Sequence, residues 1–124
     1  MLLIVAAIAS GCGCSPTGWQ MDYGKPAAQF LSVDVARLGR PFIGRKITVK
    51  GTVTRVDVGD PKSAWVYLED GIRCHFGKFK AMAESSKVGD PVYVDGFLRR
   101  CDPGDILIDP AVYRLPDAPF SPKK

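Results

Sequence analysis

The sequence lacks the residue groups that most metal sites and hydrolytic active sites require. It contains one histidine in 124 residues. It has no Cys-x-x-Cys pair, and its carboxylates do not cluster around the histidine, so the usual zinc-ligand patterns are missing. It also has no Gly-x-Ser-x-Gly motif and no glycine-rich phosphate loop. We therefore expect a protein with no metal, no cofactor and no enzymatic activity.

The sequence also lacks an apolar run of the length that crosses a bilayer, which is about 20 residues. Residues 1–9 are uncharged and apolar, and they lead into Ala9-Ser10-Gly11-Cys12. This order resembles the bacterial lipobox, in which small residues precede a cysteine that is lipidated and becomes the new N-terminus. We predict that residues 1–11 are a lipoprotein signal peptide and that Cys12 is the lipidated residue.

Two other interpretations of this segment remain open. In the first, residues 1–9 are a buried strand or helix and Cys12 is an ordinary thiol. Cys14 is a poorer candidate for lipidation than Cys12, because Cys12 would then occupy the second position before cleavage.

A stretch rich in small residues and turn formers follows Cys12. We predict that residues 12–24 are a flexible tether. The predicted location is therefore the cell envelope, with the protein lipid-anchored to a membrane and facing the periplasm or the exterior. Acyl chains contribute roughly 0.8 kcal/mol per buried CH2, so two or three chains anchor a protein stably.

The remaining composition is typical of one small all-β domain. Hydrophobic residues make up 46% and charged residues 24% of the chain, which is a globular balance. Thirteen glycines and ten prolines separate short β-branched runs, which favours strands joined by tight turns over long helices. The net charge of +4 is compatible with weak attraction to anionic partners and requires none.

A weak helical pattern covers residues 25–38. Leu31, Val35 and Leu38 are spaced by four and three residues, and Gly39 is placed to end a helix. We predict a short N-terminal helix there.

Residues 45–53 alternate between apolar and polar side chains, which predicts a half-buried strand with Gly51 on its inward face. Beyond Val53 the apolar phase moves to Val56 and Val58. Since a one-residue slip turns every side chain to the other face, we predict a bulge near residues 54–55.

Four further strands are bounded by turn residues. They are predicted at residues 64–68, 72–76, 91–100 and 105–113, with turns at 69–71 and 102–104 and a short helix at 78–86. Residues 114–124 contain three prolines and two terminal lysines, and we predict an exposed C-terminal tail.

Three strands, a helix and two strands follow in the order of the oligonucleotide/oligosaccharide-binding (OB) fold. Its helix lies between the third and fourth strands and plugs one end of the barrel. We predict an all-β, five-stranded OB-type Greek-key barrel over residues 25–113, with that helix and a short N-terminal helix. The main alternative, an SH3-like barrel, usually lacks a helix in that connection.

With the strands placed, residues 42–53, 66–68, 72–76 and 88–96 resemble the tRNA_anti-like family of bacterial OB-fold proteins. The pattern is a Gly-Arg-Lys start at Gly44, Val-x-Gly-x-Val from Val49, Cys-x-Phe from Cys74 and Gly-Asp-x-Val-x-Val-x-Gly from Gly89. The resemblance covers roughly residues 30–113. It implies the OB fold and an exported or lipid-anchored protein, and it implies no catalytic residue.

Cys74 and Cys101 are the two cysteines inside the predicted barrel. An oxidising compartment would permit a disulfide between them. However, the third and fourth strands of an OB barrel are not neighbours, and a disulfide needs Cα atoms within about 7 Å. The alternative is that Cys74 is a small core side chain, since it shares the inward face with Ile72 and Phe76.

Basic and aromatic side chains are concentrated on the predicted second to fourth strands. OB folds that bind oligonucleotides use the face of strands two and three, with bases stacked on aromatic rings in a positive groove. Our candidate ligand-binding residues are Trp65, Tyr67, Arg73, His75 and Arg99. The alternative is a solvated barrel surface, on which aromatic residues are common because strands favour them.

We therefore expect a membrane-anchored OB-fold binding module of the bacterial cell envelope. Its expected partners are the membrane, through the lipid anchor, and an envelope protein or an anionic ligand. The location disfavours nucleic acid. Two alternatives remain open, a structural or assembly lipoprotein without a small ligand and an OB-fold nucleic-acid binder.

Overall fold

The computed structural model describes residues 25–124. The predicted signal peptide and tether, including Cys12, lie outside the described residues. The strands are β1 (Ala28–Leu31), β2 (Lys46–Asp57), β3 (Ala64–Leu68), β4 (Ile72–Gly77), β5 (Pro91–Asp102) and β6 (Asp105–Tyr113). The helices are α1 (Ser32–Leu38) and α2 (Lys80–Glu84), with one 3-10 turn at Arg40–Phe42.

Five of these strands close into a barrel. The strands pair in the order β2, β3, β4, β6 and β5, and β5 pairs back onto β2. The β4–β6 pair is parallel and the other barrel pairs are antiparallel. The prediction of an all-β protein with a closed five-stranded, OB-like barrel is confirmed.

The long strand β2 serves two neighbours because it bends. Its first half, from Lys46 to Thr52, pairs with β5, and its second half pairs with β3. The register with β3 shifts between Val53 and Arg55, where the apolar phase of the sequence changes. The predicted bulge is confirmed, and it is the point at which the barrel turns.

The N-terminal segment differs from the prediction. Residues 28–31 form β1, which pairs in parallel with β2 from Ala28 opposite Ile47 to Leu31 opposite Lys50. Ala28 and Phe30 are buried with strand periodicity, whereas Leu31 is 39% exposed. The predicted helix at residues 25–38 is therefore wrong in its first half, because pairing with β2 decides the conformation there. Only residues 32–38 are helical.

The barrel interior is filled by the inward faces of the strands. Ile72, Cys74 and Phe76 of β4 are buried, as their alternation predicts. Helix α2 follows β4 and is only five residues long, shorter than the predicted 78–86. Its Ala83 is fully buried, and Met82 packs against the core.

The C-terminal tail is mostly exposed, but it contacts the barrel. The backbone amide of Lys123 donates to the carbonyl of Gln29 at 2.9 Å, and the amide of Ser121 donates to the Gln29 side chain at 2.7 Å. The ring of Phe120 packs edge-on against Tyr93, with centroids 5.1 Å apart. The tail thereby covers the edge of β1 near Gln29, an edge that otherwise offers unpaired backbone groups.

Candidate ligand-binding face

The β3–β4 hairpin brings four of the five predicted site residues together. Trp65 of β3 is opposite His75 of β4, and Tyr67 is opposite Arg73. The turn between the strands has positive φ at Asp70 (65°) and Gly71 (75°), as a tight hairpin with an Asp-Gly pair requires. This turn sets the register, and the register places the four side chains on one outward face.

Three rings form a row along this face. The centroids of Trp65 and Tyr67 are 6.4 Å apart, and those of Trp65 and His75 are 4.4 Å apart with planes inclined by 33°. All three side chains are half-buried. The guanidinium of Arg55 lies 5.0 Å from the Tyr67 ring centroid. We call Tyr67, Trp65 and His75 the aromatic row.

Three arginines around the aromatic row contact two carboxylates. Arg73 and Arg100 both contact Asp105, each at 2.8 Å, and Arg55 contacts Asp57 at 3.2 Å. A hydrogen bond from Arg100, supported by Arg73, holds the pKa of Asp105 below its ordinary value. Carboxylates therefore neutralise part of the positive charge expected on this face from the sequence.

Arg99, the fifth predicted site residue, does not contact the aromatic row directly and is connected to it by Asp109 of β6. Its Nε donates to the backbone carbonyl of Asp109 at 2.8 Å, and its guanidinium lies 5.4 Å from the Phe97 ring centroid. The Asp109 carboxylate in turn contacts His75. Arg99 thus lies at the border of the face, beyond the aromatic row.

Sequence reasoning missed two residues that contact His75. The hydroxyl of Ser63, in the loop before β3, lies 3.1 Å from His75 Nε2. The carboxylate of Asp109 lies 3.2 Å from His75 Nδ1. The hairpin register could have indicated Ser63, whereas Asp109 comes from β6, whose parallel pairing with β4 has no local signal in the sequence.

The two barrel cysteines are free thiols, and the candidate disulfide is not formed. Strand β6 lies between their strands, with Ile108 opposite Cys74 and Ile106 opposite Cys101. Cys74 is fully buried, and the Cys101 Sγ donates to the carbonyl of Val35 at 3.2 Å. Burial raises the pKa of both thiols, so both are core side chains.

A concave region away from the aromatic row lies where residues 25–29 meet the C-terminal tail. It has a volume of about 510 Å³, and its lining includes Lys25, Arg114 and Lys123 and no carboxylate. We call it the cationic groove. In contrast to the aromatic row, its described lining carries charge of one sign.

Residues 25–124 hold no group of three or more histidine, cysteine or carboxylate side chains placed to bind a metal ion. Within the same residues, no helix is both long enough and apolar enough to cross a membrane.

The sequence matches no protein-family model and no curated protein sequence. The structure is similar to part of a candidate aspartyl-tRNA synthetase from Leishmania major, with a TM-score of 0.50 and 14% identity over 86% of this chain and 25% of that one. The barrel has an OB fold. The likeness spans only a quarter of the synthetase.

Two further OB-fold chains have lower structural similarity. A candidate nucleic acid-binding lipoprotein from Klebsiella pneumoniae has a TM-score of 0.46 and 12% identity over 68% of this chain and 82% of that one. The asparaginyl-tRNA synthetase of Entamoeba histolytica, solved with asparaginyl-adenylate, has a TM-score of 0.48 and 14% identity over 79% of this chain and 25% of that one.

Proposed function

We propose that this protein is a membrane-tethered OB-fold module that binds a glycan of the bacterial cell envelope on its β3–β4 face. The observation that carries the proposal is the aromatic row set among paired charges. Trp65 and Tyr67 lie side by side on β3, the strand position that ligand-binding OB folds use. Their rings supply apolar surface with polar groups at the margin.

The hydrogen-bonding groups around the row fit a polar ligand without net charge. His75, Ser63 and Asp109 offer donors and acceptors beside the Trp65 ring. A few placed polar groups beside apolar rings are what orient a small ligand in a binding site. Sugar rings present both a CH face for stacking and hydroxyl groups for these partners.

The paired charges disfavour a ligand that is held mainly through phosphates. Such binding depends on cations that neutralise phosphates and release counterions, which makes it steeply salt-dependent. Here Arg55, Arg73 and Arg100 already contact carboxylates. We therefore expect binding at this face to change little with ionic strength.

The proposed tether is supported by the cationic groove as well as by the residues around Cys12. The groove begins at Lys25, the first residue after the predicted tether. Anionic lipid surfaces attract such juxtamembrane cations by about 1 kcal/mol per Lys or Arg. A lipid on Cys12 would hold this end of the barrel near the membrane.

Metabolic labelling with a palmitate analogue tests the tether. We expect label on the wild-type protein and on Cys14→Ala, and none on Cys12→Ala. Label that persists on Cys12→Ala and disappears from Cys14→Ala would contradict the assignment.

Co-sedimentation with purified insoluble peptidoglycan tests the binding face. Tyr67 and Tyr93 form a matched pair, because each lies on a barrel strand with a cation near its ring, at 5.0 Å for Arg55 and 5.6 Å for Lys50. We expect Tyr67→Ala to reduce sedimentation and Tyr93→Ala to leave it unchanged. Equal sedimentation of the two variants would contradict the proposed face.

A further inference from the structure

Ser63, His75 and Asp109 form a hydrogen-bonded chain that crosses three elements of the barrel. We call it the serine relay. Ser63 ends the loop before β3, His75 lies on β4, and Asp109 lies on β6, which pairs in parallel with β4. The Ser63 Oγ to His75 Nε2 distance is 3.1 Å, and the His75 Nδ1 to Asp109 Oδ1 distance is 3.2 Å.

The hydrogen-bonding capacity of these groups decides which atoms of the relay carry the protons. An ionised carboxylate only accepts hydrogen bonds, so Asp109 requires a proton on His75 Nδ1. In the neutral imidazole, Nε2 then carries a lone pair, and it accepts the hydroxyl proton of Ser63. A hydroxyl, a basic ring nitrogen and an orienting carboxylate in this order are the arrangement that activates a serine nucleophile.

Trp65 holds the relay in place. Its ring lies against that of His75, with centroids 4.4 Å apart. Its Nε1 donates to Ser63 Oγ at 3.2 Å, so it stabilises negative charge that develops on this oxygen. The His75 side chain is 25% exposed, which leaves the relay within reach of a molecule bound at the face.

We propose that Ser63 is an activated nucleophile that takes an acyl group from an ester. Ser63 Oγ forms a bond to the ester carbonyl carbon while His75 Nε2 takes the hydroxyl proton. The carbon–alkoxy bond then breaks, and the alcohol leaves with that proton. Water then attacks the carbonyl carbon of the acyl-serine while His75 Nε2 takes one of its protons. The bond between that carbon and Ser63 Oγ breaks, and His75 returns the proton to Oγ, which releases the carboxylic acid and free Ser63.

This activity departs from the sequence-based expectation of no enzymatic activity. It goes beyond glycan binding and does not depend on it. An O-acylated sugar would combine the two, because its ring would stack on the aromatic row while its ester lay near Ser63. A small electrophile tests the relay without requiring the glycan, so the two proposals fail separately.

A fluorophosphonate probe and mass spectrometry of the full chain test the inference. Attack by Ser63 Oγ forms a phosphorus–oxygen bond and breaks the phosphorus–fluorine bond, with fluoride as the leaving group and the proton on His75. We expect one probe adduct, located on Ser63. Asp109→Asn should slow the labelling about 100-fold, since it removes the group that orients the general base.

Ser85 is the internal control, because its hydroxyl donates to the Met82 carbonyl at 2.6 Å, whereas the single histidine of the chain, His75, contacts Ser63. Ser85 should stay unlabelled under the same conditions. Ser63→Ala should remove the adduct while its circular dichroism spectrum remains that of the folded protein. Absence of a Ser63 adduct, or labelling at equal rates in wild type and a folded Asp109→Asn variant, would overturn the proposal.

Discussion

Gly96 is the position at which the closed barrel should tolerate a side chain least. It lies on β5 opposite Ala111 of β6. An added Cβ would overlap the Ile108 Cγ2 methyl group and the backbone oxygen of Pro110, and it would lie 3.1 Å from the Ala111 Cα. A backbone oxygen cannot rotate away, so Gly96→Ala has to push β5 from β6.

The expected loss follows from the cost of overpacking a well-packed core, about 1–3 kcal/mol. For a domain of about 100 residues, each kcal/mol lowers the melting temperature by about 4–8 °C. We therefore expect Gly96→Ala to melt at least about 4 °C below wild type when unfolding is followed by circular dichroism.

Gly59→Ala is the matched control, because the nearest heavy atom to its Cβ would be Asp57 Oδ1 at 3.5 Å, an ordinary contact. This variant should be neutral or more stable by about 0.4–1 kcal/mol, since alanine restricts the unfolded chain. If Gly96→Ala melted at or above the wild-type temperature, the described β5–β6 packing would be wrong.

Three further predictions concern the core and the ion pairs. Cys74 and Cys101 should resist a thiol-reactive label in the folded protein and react after unfolding, because burial raises the pKa of both thiols. Peptide mapping would locate the label, and labelling of either cysteine in the folded state would place it outside the core. Asp105 should stabilise the fold at neutral pH and lose this effect as the pH falls below its ordinary pKa of 3.8, because its folded-state pKa is depressed, chiefly by Arg100. The difference in melting temperature between wild type and Asp105→Asn should thus shrink in acid, and a constant difference would argue against the pair. Gly51→Val should cost about 1–3 kcal/mol, since even a Cβ would lie 3.2 Å from three neighbouring side-chain atoms; an unchanged melting temperature would contradict this packing.

The barrel could be predicted because its signals are local. Strict alternation identifies the strands, and the phase change after Val53 identifies the bend. The Asp-Gly turn fixes the β3–β4 register, and that register alone places Trp65 opposite His75. The candidate face was therefore accessible from the sequence.

Apart from Ser63, the missed features depend on contacts between distant segments. The strand conformation of residues 28–31 comes from pairing with β2, which outweighs a weak helical spacing. The pairing of Arg73 with Asp105 and of His75 with Asp109 requires β6 to lie beside β4. Without the β4–β6 pairing, Arg73 and His75 have no carboxylate partners. From the sequence alone, the face therefore has the composition of a positive groove, and the serine relay cannot be recognised.

The fluorescence of Trp65 tests most directly whether the aromatic row binds a glycan. The chain has two tryptophans, Trp19 and Trp65, so a Trp19→Phe variant reports on Trp65 alone. We would titrate this variant with soluble glycan fragments of peptidoglycan and, separately, with oligothymidylate, each at low and high salt. We expect the glycan fragments to shift or quench the emission in a saturable way that salt leaves nearly unchanged. Emission unchanged by the glycan fragments, together with a response to oligothymidylate that weakens steeply with salt, would contradict the account and favour nucleic-acid binding.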